Sequence, residues 1–171
     1  MFRAMTWGVA AAMAMTATAV QANILTFNAT LEATAPTETG SAATGRMRMH
    51  VDTVRQRVSV DLDVKGIPLD ALSDALVAKP IGPVHFHKYM SEHHHGDVVL
   101  VLPVPYGPAY KATPKGFHVA MRDYDYAAGA KLLGSDLDFG GFVAALRSGQ
   151  VILNIHTDRF GDGEISGTVK G

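Results

Sequence analysis

Five of the chain's eight histidines fall within residues 82–97, GPVHFHKYMSEHHHGD. Imidazole is a borderline ligand that suits Cu(II), Zn(II), Ni(II) and iron, and it binds as the neutral ring. An unperturbed ring titrates near 6.5, so protons should compete for such a site below about that pH. In VHFHKY, Val84 and Phe86 alternate with His85 and His87. On a strand this alternation sends both imidazoles to one face with about 7 Å between their Cβ atoms, a spacing that can chelate one ion. QVILNIHTD repeats the arrangement, with Val151, Leu153 and Ile155 on one face and Asn154 and His156 on the other. If the two strands are neighbours, His85, His87 and His156 converge on one ion and leave a position for a further ligand. The alternative is a His156 that hydrogen-bonds beside Asn154 and Thr157 and merely closes a hairpin.

The triplet His93-His94-His95 is predicted in a turn, where successive side chains diverge and cannot all reach one centre. Among them His95 is the preferred additional ligand, ahead of His94 and His93, because Gly96 frees the backbone beside it. The competing reading is a solvated loop with adventitious metal affinity. His50 and His118 read as half-exposed strand residues. Thioether sulfur prefers Cu(I), yet Met47, Met49 and Met121 read as core, leaving Met90 as the methionine near the histidines. Asp158, Asp162 and Glu164 in DRFGDGE fit no EF-hand spacing and read as turn residues. No glycine elbow around a serine, phosphate-cradling loop or HExxH helix is present.

The elements that must position these residues follow a period of two. ILTFNATLE, RMRMHV and RVSVDLDV each alternate apolar with polar residues, the pattern of half-buried antiparallel strands. Further strands are expected at 84–89, 98–102, 116–122, 150–157 and 164–169, with DRFGDGE turning before the last. LDALSDALVA reads as a helix with Leu69, Leu72 and Leu76 on one side, and DLDFGGFVAALRSG as another ending at Gly149. About eight short strands with one or two small helices predict an all-β Greek-key sandwich or barrel.

Met1-Phe2-Arg3 opens a nearly uncharged run of Ala, Met, Val and Thr that ends in Ala19-Val20-Gln21-Ala22. This predicts a secretory signal peptide over residues 1–22, cut after Ala22, and a single domain over 23–171 with no membrane span after processing. The formal net charge of −1 offers nothing to a phosphate backbone, so no nucleic acid is expected. The chain has no cysteine, hence no disulfide and no thiolate cluster. Export without disulfides suggests the periplasm or secretion.

The succession ATLEATAPTETGSAATGRMRM, then PVHFHK leading into DVVLVL, then LRSGQVILNIHTDRFGDGEISGTV resembles the CHRD (chordin-type) domain family. The likeness covers nearly all of residues 23–171, and its most specific parts are His85 and His87 and the run Asn154, His156, Thr157 and Gly163 to Gly167. The resemblance implies an immunoglobulin-like sandwich distantly similar to copper,zinc superoxide dismutases, and brings no settled activity. The insert SEHHHG departs from the family pattern, so the likeness does not extend to the triplet. Dismutases also hold copper with an H-x-H strand, but the cysteines of their disulfide are missing here, as is an equivalent of their zinc-binding loop. Lys88 and Arg159 are the candidates for a steering charge in an enzyme of that kind.

The leading expectation is therefore an exported domain that binds a transition metal, copper favoured and zinc the alternative, through His85, His87 and His156, in a binding or trafficking role. Two other classes stand beside it: a non-catalytic module that binds envelope proteins, and a superoxide dismutase-like copper enzyme.

Overall fold

A computed structural model describes residues 23–33, 38–89 and 98–171. The expected leader at 1–22, Met90 and the triplet His93-His94-His95 lie outside the described residues. The strands are β1 (Ile24–Leu31), β2 (Thr44–Asp52), β3 (Arg57–Lys65), β4 (Val84–Tyr89), β5 (Val98–Val104), β6 (Tyr110–Thr113), β7 (Gly116–Asp125), β8 (Val151–Ile155) and β9 (Ile165–Thr168). The helices are α1 (Asp74–Val77), α2 (Tyr126–Leu133) and α3 (Phe139–Arg147).

Two antiparallel sheets, ordered β1-β2-β3-β7-β6 and β5-β4-β8-β9, face each other as a sandwich. Alternation decides which side chains enter it: Val58, Val60, Leu62 and Val64 of β3 are buried, as are Met47, Met49 and Val51 of β2. From the smaller sheet Val84, Phe86, Leu153 and Ile155 join the same core. Burying side chains of this size contributes about 1.5–3 kcal/mol each, the main favourable term for a chain without disulfides.

The sandwich is closed along one side. Bridges Asn28↔Lys170 and Glu32↔Ser166 join β1 to β9, placing Thr30 beside Thr168 between them. Gly167 permits this approach, since a Cβ there would lie 2.2 Å from the carbonyl oxygen of Thr30. The outer surface thus runs without a break from β4 through β8, β9 and β1 to β2. The opposite borders are β5, which carries Pro103 and packs against α2, and the four-residue β6.

The expected helix over LDALSDALVA is instead a single 3-10 turn at Leu69–Ala71 and the one-turn α1. Tertiary pairing breaks it: Leu72, buried in the core, bridges to Thr157, and the Ser73 amide donates to the carbonyl of His156 at 3.1 Å. In α3, Asp138 caps the first turn by accepting from the Gly141 amide, and Gly149 beyond the Ser148 cap has φ +68°. Sequence periodicity missed α2 and β6. Among the described residues, no helix is long and apolar enough to cross a membrane.

Candidate metal centre

The centre is built where β4 and β8 run side by side. Their register sets His85 opposite Asn154 and His87 opposite Ile152, while Phe86 and Leu153 point into the core. Past the end of β8 the ladder continues, with the His156 amide donating to the Pro83 carbonyl at 2.9 Å. His156 therefore follows Asn154 on the face that carries His85 and His87. On the far side of β4 the register with β5 slips between Phe86 and His87, leaving Val101 as an extra residue opposite the H-x-H pair. A bulge of this kind bends the local backbone and re-aims neighbouring side chains.

The three rings are in contact. Ring centroids lie 4.4 Å apart for His85 and His156, 4.7 Å for His85 and His87, and 6.2 Å for His87 and His156. One ring nitrogen from each falls within 4.8 Å of the others. Bonds of about 2.0–2.1 Å to one ion in tetrahedral geometry separate two nitrogens by about 3.4 Å, so closure asks for the widest pair to approach by up to about 1.4 Å. His87 is free to make it, because neither of its nitrogens has a hydrogen-bond partner among the described residues.

Two of the rings are oriented by backbone carbonyls. His85 Nδ1–H donates to the Gly82 carbonyl at 2.9 Å and His156 Nδ1–H to the Gly161 carbonyl at 2.8 Å. A carbonyl only accepts, so Nδ1 holds the proton in both rings and Nε2 keeps the lone pair a metal needs. Gly82 supplies its carbonyl from φ +76°, where a Cβ would meet the Val104 carbonyl oxygen at 2.1 Å. The segment after β8 is held from the other side as well: the Asp158 amide donates to the Ala71 carbonyl, and Asp158 Oδ1 accepts from the Asp74 amide.

Burial keeps the rings neutral. It lowers His85 to about 3, helped by repulsion from His156 and His87, and lowers His87 to about 4, with His156 the second cause. His156 is lowered too, chiefly by burial, against the opposing pull of its Gly161 hydrogen bond and of Asp162. Proton competition is thus displaced below the ordinary imidazole range expected from the sequence. Among the described residues, and besides the nitrogens of His87, three buried side-chain polar atoms lack partners: His156 Nε2, Asn154 Oδ1 and Ser166 Oγ.

The comparisons with known proteins fit this architecture. The family model of the CHRD domain matches residues 27–169. The chain belongs to the CHRD domain family. Neither the curated proteins nor the solved structures contain a match. The matched segment of this CHRD domain includes His85, His87 and His156 together with both carbonyl anchors.

Other candidates serve elsewhere in the CHRD sandwich. His50 pairs with Thr26 Oγ1 at 3.1 Å and His118 with Asp63 at 2.9 Å, both on the five-stranded sheet. Glu164 is a structural carboxylate that accepts from Ser41 and Thr157 hydroxyls at 2.6 and 2.8 Å. The Arg159 guanidinium lies over the Phe160 ring, 5.0 Å from its centroid, and Lys88 is half-buried in β4. The carbonyls of Gly82 and Gly161 had no signal in the sequence, since backbone acceptors have no residue signature, and the hydroxyl of Ser166 was not singled out; Asn154 was visible through its shared face with His156 and through the family resemblance.

Proposed function

We propose that this CHRD domain is an exported protein that binds a transition metal ion, copper in first place and zinc as the alternative, through His85, His87 and His156. The observation that carries the reading is the meeting of three neutral imidazoles whose ligand nitrogens lie within 4.8 Å of one another. Bringing such lone pairs together under burial leaves polar atoms without partners, at about 1–3 kcal/mol for each. A cation accepts all three at once. The cluster contains no carboxylate or thiolate, and an imidazole donor set suits copper or zinc rather than calcium or magnesium.

The role is binding or trafficking of the ion in the periplasm or outside the cell, after removal of residues 1–22. Support comes from the leader-like N-terminus and from burial of His85 and His156. Isothermal titration of the full chain and of the His85→Ala/His87→Ala/His156→Ala protein tests it. One Cu(II) bound per wild-type chain and none by the triple variant supports the proposal; equal affinity for the two overturns it. Metal analysis of untagged protein after dialysis against a weak chelator separates copper from zinc.

A further inference from the structure

Three histidines satisfy the ion but not the two oxygens beside it. Asn154 Oδ1 and Ser166 Oγ are buried without a hydrogen-bond partner among the described residues, and their residues are exposed by only 5% and 3%. Asn154 stands directly opposite His85 across β4 and β8, and Ser166 directly opposite Asn154 across β8 and β9. Residues so paired hold their Cβ atoms about 4.5–5.5 Å apart on one face. Asn154 also precedes His156 by two residues on that face, so it neighbours both His85 and His156 in the sheet. Neither an amide oxygen nor a hydroxyl is a favoured donor to copper or zinc. Both are suited to hydrogen-bonding something that the ion itself holds.

We propose that Asn154 and Ser166 position a small exchangeable ligand, water in the simplest case, at the coordination site the three histidines leave open. The inference rests on the metal reading above. Water matches the available chemistry: its oxygen faces the cation while its hydrogens reach Asn154 Oδ1, which can only accept, and Ser166 Oγ, which can do either. A cleft of about 830 Å3 on the outer surface runs over Thr30, Arg46 and Thr168 and reaches Ile152 and Ser166. Ile152 is the partner of His87 in the register, and Ser166 that of Asn154. The cleft thus borders the Asn154 and Ser166 pair on the β9 side, the side from which small solutes are proposed to approach. Asn154 and Ser166 are positioning residues in this arrangement, and the histidines alone hold the metal.

The test is field-dependent relaxation of water protons by the Cu(II)-loaded full chain, compared among wild type, Asn154→Leu and Ser166→Ala, with copper affinity measured in parallel. Wild type is expected to relax water well above the level of the same copper added to the triple histidine variant. Asn154→Leu should lower that relaxivity roughly threefold or more while keeping copper affinity within about tenfold, and Ser166→Ala should shift it the same way by less. Should Asn154→Leu fail to fold by circular dichroism, Ser166→Ala and the azide dependence of the wild-type copper spectrum decide. Copper bound with no excess relaxivity and no azide response overturns this inference alone. So does relaxivity unchanged in the variants, or an affinity loss in Asn154→Leu as large as that of His85→Ala, which makes Asn154 a ligand. Wild-type protein that binds no copper overturns the metal reading and this inference with it.

Discussion

The imidazole of His85 lies flat against that of His156, with ring planes 13° from parallel and each Nδ1–H tied to a glycine carbonyl. One ring leaves β4 and the other follows β8, yet both are locked in the same tautomer with Nε2 uncommitted. Orientation of this kind fixes ligand direction before any ion arrives, so the site does not have to order its two anchored members on binding. His87 lacks such an anchor and supplies the adjustment.

Removing an anchored ring should cost more than removing its carbonyl. His85→Ala and His156→Ala are each expected to weaken Cu(II) binding by more than the roughly 10–100-fold typical of losing an outer-shell partner. Isothermal titration at neutral pH measures it. A variant that binds within threefold or so of wild type removes its residue from the ligand set.

Acid should destabilise the metal-free protein earlier than carboxylate titration alone does. His85 and His87 are lowered to about 3 and about 4 in the folded chain, whereas unfolded imidazoles titrate near 6.5. Between about pH 6.5 and 4 the unfolded state binds more protons, so stability is full above 6.5 and falls as pH drops through that window. The slope is up to about 1.4 kcal/mol per pH unit for each ring. Urea midpoints at pH 7.5, 5.5 and 4.5 read it, and in His85→Leu/His87→Leu protein the decline should flatten.

Two glycines near the rings should respond oppositely to a methyl group. Gly82→Ala places a Cβ against the Val104 carbonyl at φ +76°, and a loss of about 1–3 kcal/mol is expected along with weaker copper binding, because the His85 anchor moves. Gly161→Ala meets nothing within 4 Å and keeps its carbonyl, so both properties should stay near wild type. Denaturant unfolding of the pair decides; equal stability of the two variants contradicts the anchoring role of Gly82.

Metal should stabilise the folded chain by mass action. With free Cu(II) at 100 times Kd, about 2.7 kcal/mol is added to unfolding, and a chelator should reverse it. Scanning calorimetry of wild type and the triple variant checks this, the latter showing no shift in Tm.

Much of this was legible before any fold was known, and the remainder has physical reasons for having been hidden. VHFHKY and QVILNIHTD declare their faces because strand alternation has a period of two, and each apolar partner, from Val84 to Ile155, is buried as read. Their adjacency could not be read across the 61 residues that separate the strands (90–150), since register between distant strands is set by the whole sandwich. LDALSDALVA carries helical spacing, but Leu72 gains more from the core and its bridge to Thr157 than from continuing a helix. The α2 segment YAAGAKLL was bracketed by a cap at Asp125 and a left-handed Gly134, signals outweighed by the strand residues just before it. Gly82 and Gly161 act through main-chain oxygens, which any residue possesses.

The seam between β1 and β9 bears on how the chain behaves in company. By using two of the four sheet borders to close on each other, the sandwich leaves β5 and β6 as the strands able to template a neighbour. Pro103 removes an amide from the first of these, and the second is four residues long and carries Lys111. Interrupted donors, brevity and charge are each features that discourage edge-to-edge growth. A polypeptide without disulfides thereby keeps its neighbours from zipping onto it.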